Sequence, residues 1–268
     1  MEALLLTAAF VSFILFLIPG RHSAYAGIAG WLSMSLFLFA EVPYYLSINN
    51  FLYPTMAVLS VPFLYVTAKR LRAEDKNVQY LTRAAAVAVL VYLPFGYTPL
   101  GDWLIDVVTG EVGWLLNMVG IQYSMYDWNM FIRNGLRVEI VLGCTGIQSI
   151  AIMLGVAAAV PTELRQKILA VLFVVPTIYI LNLFRNVFVI TAYTGQWFPY
   201  FPEIASNGEY GYESFFWAHN VLCELGALVA LVIIAYALFA LIPDLAKMAE
   251  GLYRAYRDDL TRAFSRDR

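Results

Sequence analysis

Three side chains in the second half of the sequence have the chemistry of a cysteine-based acyl-transfer site. Cys144 carries a thiol nucleophile, and His219 carries an imidazole that accepts and donates protons near neutral pH. Arg185 carries a planar fork of donors that suits the oxyanion of a tetrahedral intermediate, or a substrate carbonyl or carboxylate. Together they predict covalent catalysis by Cys144.

The sequence around Cys144 favours that role. Cys144 is predicted to open a helix, where unpaired backbone N–H groups and the helix dipole favour a thiolate. Gly143 and Gly146 flank it, and they predict a sharp turn and close approach of a substrate backbone. Cys223, the second cysteine, is interpreted as a small apolar filler. It lies four residues after His219, but two ligands without a third do not predict a metal site.

Seven apolar runs are available to position these side chains. Each is long enough, or nearly so, to span a bilayer, which predicts an all-α integral membrane protein with about seven transmembrane helices. The runs cover residues 3–19, 24–40, 51–68, 84–101, 145–161, 167–193 and 216–242.

The basic residues orient these helices. With seven spans, fourteen Lys and Arg residues fall on one side, at positions 21, 69, 70, 72, 76, 83, 165, 167, 247, 254, 257, 262, 266 and 268. The positive-inside rule therefore predicts an outside N-terminus and a cytoplasmic C-terminus. Cys144, Arg185 and His219 then share the outer leaflet of the cell membrane, so the site is expected to face the extracytoplasmic side.

Two segments are not predicted to span. Charged residues interrupt 102–143, which is expected on the outer surface with an interfacial helix near Trp114 and a β-hairpin around Asn134-Gly135. Residues 244–268 are predicted to form a cytoplasmic amphipathic helix on the membrane surface. The expected organisation is a membrane domain, 1–243, whose catalytic half is 102–242, followed by this tail. The loop 194–215 has many aromatic residues and is interpreted as a headgroup belt in preference to a substrate groove.

Composition excludes several classes of protein. The chain is 61% hydrophobic and 13% charged, too apolar for a soluble domain of 268 residues. Its net charge of −2, without a basic stripe on an aqueous face, predicts no nucleic-acid partner. Neither cysteine has the spacing of a zinc or iron–sulfur site, and we expect no metal and no cofactor.

Three short motifs resemble the exosortase/archaeosortase transpeptidases. They are Gly143-Cys144-Thr145-Gly146-Ile147-Gln148-Ser149, Asn182-Leu183-Phe184-Arg185-Asn186 and Ala218-His219-Asn220. The resemblance covers roughly the second half of the chain and implies that Cys144, Arg185 and His219 are catalytic. At the third of these positions the family has histidine or arginine, and this chain has His219. The polar neighbours in these motifs are expected to bind substrate: Thr145, Gln148, Asn182, Asn186 and Asn220.

The resemblance also implies a substrate and a reaction. The substrates would be exported proteins ending in a short motif such as Pro-Gly-Phe, a transmembrane helix and a basic tail. The enzyme would form a thioester on Cys144, release the helical peptide and transfer the new C-terminus to a membrane lipid amine.

Other functions stay open on the residues alone. An intramembrane cysteine protease would resolve the same thioester with water. An anion channel or transporter would use Arg185 as its binding charge, although polar groups across the whole membrane depth would then be expected. A scaffold would not need Cys144. Arg185 could also form a structural ion pair with Glu224.

Overall fold

The computed structural model describes residues 2–47, 51–206 and 208–265, and helices dominate it. The first half contains α1 Glu2–Phe16, α2 Ser23–Ser47, α3 Leu52–Arg72, α4 Lys76–Tyr97 and α5 Leu100–Met118. A small sheet follows, with β1 Ser124–Asp127, β2 Met130–Arg133 and β3 Leu136–Glu139. The second half contains a 3₁₀ turn Leu142–Thr145, α6 Ile147–Ala159, α7 Leu164–Thr194, α8 Pro202–Ala205, α9 Tyr212–Phe215, a π-helix Phe216–Cys223, α10 Glu224–Leu241 and α11 Pro243–Ser265.

Four helical segments of the described chain are long and apolar enough to cross a membrane. They are Ser23–Ser47, Lys76–Tyr97, Leu164–Thr194 and Tyr212–Leu241. Three of the seven predicted spans are not among them, because α1 and α6 are shorter apolar helices and α3 ends in a basic turn. The predominantly helical fold is confirmed, whereas the seven-span topology and its orientation stay predictions.

Contacts divide the chain into two compact units. The first comprises the chain up to Val91, Leu154–Ile168 and the chain from Leu238, and the second comprises Tyr92–Met153 and Leu169–Ala237. All three predicted catalytic residues belong to the second unit.

Close helix packing characterises the first unit. A Cβ on Gly155 of α6 would lie 2.3 Å from the Ala84 carbonyl oxygen of α4, so only glycine permits this approach. Trp31 of α2 packs edge-on against Phe13 and Phe63 and donates a hydrogen bond of 3.1 Å to Thr82. Glycine at this contact and the hydrogen-bonded indole of Trp31 thus allow close packing of these helices.

The C-terminal helix α11 is anchored to α3 within this unit. Asp259 is only 2% exposed and accepts hydrogen bonds of 2.6 Å from Lys69 and from Arg70. Tyr256 hydrogen-bonds Thr67 at 2.6 Å. A helix covers the described part of the predicted tail 244–268, Pro243–Ser265, and one of its faces packs on protein, while its cytoplasmic position on the membrane surface stays a prediction.

Burial and hydrogen bonding have opposite effects on the pKa of Asp259. Burial disfavours its ionised form, but the donors on Lys69 and Arg70 outweigh burial and lower the pKa of Asp259 below its ordinary value of 3.8. The hydrogen bond to Asp259 correspondingly raises the pKa of Arg70. The pair is therefore fully ionised near neutral pH.

The core of the second unit lies between α5 and the sheet. Ile105, Val108, Val112 and Leu116 recur at helical spacing and pack with Phe131, Val138 and Ile140 of the sheet region. Asp102, Asp106 and Trp114 lie on the exposed face of α5. The helix expected near Trp114 is thus part of α5, which has 19 residues and begins at Leu100, two residues before the predicted segment 102–143.

The sheet contains one strand more than predicted. The predicted hairpin is confirmed: β2 and β3 pair antiparallel around Asn134 and Gly135, whose φ angles are 53° and 79°. β1 adds a second antiparallel pairing, and the sheet order is β1-β2-β3. The turn between β1 and β2 has no glycine signal, but Asn129 stabilises it by donating 2.9 Å to the Ile140 carbonyl.

Candidate active site

Cys144 lies in a 3₁₀ turn that joins the sheet to α6. Its N–H donates 2.7 Å to the Val141 carbonyl, and α6 begins only at Ile147. The expectation that Cys144 opens this helix is therefore wrong, because a 3₁₀ turn that contains Cys144 precedes it. Gly146 separates turn and helix with a φ of 80°, a conformation that favours glycine, as the predicted sharp turn requires. Gly143 has open space where a Cβ would lie, so no close contact requires glycine there.

Two asparagine side chains of α7 donate hydrogen bonds to the same backbone carbonyl oxygen of this turn. The amide of Asn182 donates 2.5 Å and that of Asn186 donates 2.7 Å to the Cys144 carbonyl. Both fit because residues four apart share one face of a helix. Asn186 is 4% exposed. The two amides position Cys144, and substrate contact stays a prediction for them.

Arg185 and His219 contact each other directly. Their Nη2 and Nε2 atoms lie 2.9 Å apart. A guanidinium only donates, so Nε2 accepts, and Nδ1 then carries the ring hydrogen and donates 2.7 Å to Oδ1 of Asn220. Asn220, expected to bind substrate, therefore orients the imidazole in this structure.

The helix around His219 is wound more widely than an α-helix. Residues Phe216–Cys223 form a π-helix, which the sequence pattern did not predict. Phe215, one turn earlier, stacks on the imidazole at 4.8 Å between ring centroids with an interplanar angle of 12°. Ring stacking and the bond to Asn220 together restrict rotation of His219.

A small space joins the thiol and the imidazole. Cys144 and His219 both line a cavity of about 40 Å³, together with Glu139 and Asn186. We call it the Cys144 cavity. Its volume suits a water molecule or a carbonyl group. Within the described chain no hydrogen bond joins Cys144 Sγ to His219, so the two groups are neighbours without being paired.

A second and larger cavity adjoins Arg185. It measures about 580 Å³, and Arg185, Asn182, Gly146 and Cys223 line it among mostly apolar residues of α7 and α10. We call it the Arg185 cavity. Cys223 lies here and not in the Cys144 cavity. Over the ranges that the structure describes, no carboxylate forms an ion pair with Arg185, and Glu224 is exposed. The alternative Arg185–Glu224 ion pair does not form.

The remaining predicted site residues differ in their surroundings. Thr145 is 1% exposed and its hydroxyl donates 2.7 Å to the Leu142 carbonyl within the turn. Gln148 is exposed at the start of α6. Among the described residues, no three or more His, Cys, Asp or Glu side chains come together in a way that could hold a metal ion.

Comparison with known proteins decides the family. A model of the transmembrane exosortase family (Exosortase_EpsH) matches residues 3–205. The chain belongs to this family. The match to the exosortase family includes Cys144 and Arg185 and ends before His219. It confirms the family resemblance, and with the four candidate spans it identifies a multi-pass membrane protein.

Two curated relatives extend the exosortase-family comparison. Archaeosortase A of Natronomonas pharaonis is 28% identical over 242 residues, which are 83% of this chain and 77% of that protein. Archaeosortase A of Haloferax volcanii is 28% identical over 258 residues, 86% of this chain and 85% of that protein. No solved structure matches the chain significantly.

Proposed function

We propose that this protein is a cysteine transpeptidase that cleaves a C-terminal sorting signal from exported proteins and transfers the new C-terminus to a membrane lipid amine. One observation carries the proposal: Cys144 and His219 line one small cavity, and Arg185 hydrogen-bonds His219. A nucleophile, a base and a donor fork are thus brought together by three separate segments of the chain.

The first half-reaction forms the thioester. His219 Nε2 takes the thiol proton as Cys144 Sγ attacks the scissile carbonyl carbon. To do so, the imidazole exchanges its hydrogen bond from Arg185 for one to the thiol. The freed guanidinium then donates to the developing oxyanion. The tetrahedral intermediate collapses, the C–N bond breaks, and His219 returns the proton to the leaving amine.

The second half-reaction releases the product. A neutral lipid amine attacks the thioester carbon, His219 accepts a proton from it, and the C–S bond breaks. The proton returns to Cys144, which restores the thiol, and the product is an amide. Asn220 keeps Nδ1 protonated throughout, so Nε2 remains the reactive nitrogen.

The proposed substrate follows from the family resemblance. It is an exported protein with a motif such as Pro-Gly-Phe, a transmembrane helix and a basic tail. The Arg185 cavity supports this choice, since its mostly apolar lining suits an apolar segment next to the cleavage point. The proposal includes a cell-membrane location, seven spans and a site on the extracytoplasmic side.

Cysteine replacement tests the proposal. Cys144→Ala and Cys144→Ser should abolish processing of a membrane-anchored reporter ending in such a signal. Cys223→Ala is the matched control and should retain most processing, because Cys223 lies outside the Cys144 cavity. Wild-type processing by Cys144→Ala would reject the enzyme and would favour a scaffold or channel.

Product mass distinguishes transfer from hydrolysis. A transpeptidase gives a C-terminus with the mass of an attached lipid amine, whereas a protease gives a free carboxylate. Mass spectrometry of the processed reporter separates the two. An anion channel is less well supported, because the cavity beside Arg185 is lined mostly by apolar residues.

A further inference from the structure

The sheet has a free edge that leads to the nucleophile. β3 is an edge strand because the sheet order is β1-β2-β3. The chain continues from Glu139 through extended Val141 directly into the turn that holds Cys144. Edge strands expose a row of unpaired backbone donors and acceptors, which readily pair with another extended segment.

Hydrogen bonding shows which residues face that edge. Ile140 N–H donates 2.8 Å to Asn129 on the β2 side. Antiparallel strands alternate, and the register pairs Val138 with Phe131, so Val138 also points its backbone toward β2. Arg137 and Glu139 therefore point their N–H and C=O groups away from the sheet. Throughout the described chain, no other group bonds to these backbone atoms.

The edge is open and continuous with the site. Arg137, Glu139 and Val141 are all exposed. Val138, Glu139 and Ile140 line the Cys144 cavity with Cys144 and His219. An extended segment paired with this edge would therefore end at the thiol.

We propose that the substrate segment preceding the scissile bond binds as an added β-strand along the free edge of β3. The inference rests on the proposed function, since the occupant is the peptide that Cys144 cleaves. The segment runs parallel to β3, because its upstream residues lie beside 137–139 and its scissile carbonyl reaches Cys144. Main-chain pairing supplies affinity, and alternate side chains read the motif.

Disulfide capture tests binding without catalysis. In a Cys144→Ala/Cys223→Ala background, Glu139→Cys is compared with Tyr126→Cys on β1, the far edge of the sheet. The probe is a synthetic peptide with Pro-Gly-Phe, an apolar span and a basic tail, carrying single cysteines at successive upstream positions. Glu139→Cys should crosslink at alternate peptide positions, whereas Tyr126→Cys should not. Equal capture at both sites, or none at Glu139→Cys, would overturn the proposal.

Proline substitution tests the backbone contact during turnover. Arg137→Pro removes an outward N–H and leaves the β2–β3 ladder intact, while Arg137→Ala removes only the side chain. Loss of one hydrogen bond should lower kcat/KM by about 2- to 10-fold in Arg137→Pro relative to Arg137→Ala. Met125→Pro is the matched control, because the β1–β2 register points the Met125 backbone away from the sheet at the other edge.

The outcomes separate the two proposals. If wild-type enzyme does not cleave the peptide, the proposed function fails whatever the crosslinks show. If it cleaves the peptide and Arg137→Pro matches Arg137→Ala with normal folding, the strand-addition proposal alone is rejected. Thermal stability in detergent supplies the folding readout for all three variants.

Discussion

A hydrogen bond of 2.9 Å from Arg185 occupies Nε2 of His219, the imidazole nitrogen that carries no hydrogen. In the proposed mechanism, the nitrogen that accepts from Arg185 also serves the thiol, because Nδ1 is held by Asn220. The proposed acid–base group and the proposed oxyanion donor are therefore coupled, so replacing either one is expected to alter the other.

Replacing His219 separates hydrogen bonding from proton transfer. His219→Gln can still accept a hydrogen bond from Arg185 but cannot act as a base, and His219→Ala can do neither. We expect both to lower turnover by about 100- to 10,000-fold. Stability in detergent should fall less in His219→Gln than in His219→Ala. Turnover per folded molecule close to wild type in His219→Ala would remove His219 from the mechanism.

Arg185 is expected to act through the geometry of its donors. Arg185→Lys keeps the charge but loses the planar fork, so it should still lower turnover by about 100- to 1,000-fold. Arg185→Met removes both charge and donors and is the matched comparison. The measurement is turnover per folded molecule together with thermal stability. Reduced stability with near-normal turnover would make Arg185 structural and leave a Cys144–His219 pair.

The two asparagines on the Cys144 carbonyl should act as a unit. Asn182→Ala and Asn186→Ala each leave one donor on the oxygen, whereas the double variant leaves none. Each single change should slow Cys144 alkylation by a small maleimide, and the effect of the double change should exceed the sum of the two single effects. Alkylation of Cys144 at the wild-type rate in the double variant would show that the amides do not position Cys144.

The three catalytic candidates could be named from the sequence because their residue types, and the short motifs around them, can be read without knowing the fold. Sequence reasoning also found the turn at Asn134-Gly135, where a dipeptide favours positive φ. It missed β1, since the β1–β2 turn depends on Asn129 reaching the distant Ile140 carbonyl.

Two features of the site also lay beyond sequence reasoning. The π-helix has no signature in apolar spacing. The Asn182 and Asn186 contacts depend on how α7 lies against the Cys144 turn, which residue types alone do not specify.

Acid should weaken the attachment of α11 to α3. The pKa of Asp259 is lowered in the folded protein, so its stabilisation is fully present above the ordinary value of 3.8 and is lost as pH falls through the lower folded value. Asp259→Asn should remove most of this pH dependence and cost about 1.5–3 kcal/mol of stability at neutral pH. Asp258→Asn is the control, since its partner Arg257 is exposed. Thermal melts from pH 7 to pH 3 provide the measurement, and identical pH profiles for wild type and Asp259→Asn would contradict this role.

Direct detection of the acyl-enzyme tests the central claim. Enzyme mixed with the Pro-Gly-Phe peptide substrate is quenched in acid, digested and analysed by mass spectrometry for a thioester. The account predicts an adduct on Cys144 in the wild type and in Cys223→Ala, with none in Cys144→Ala. An adduct on Cys223, or turnover without any adduct in a variant that lacks Cys144, would contradict it.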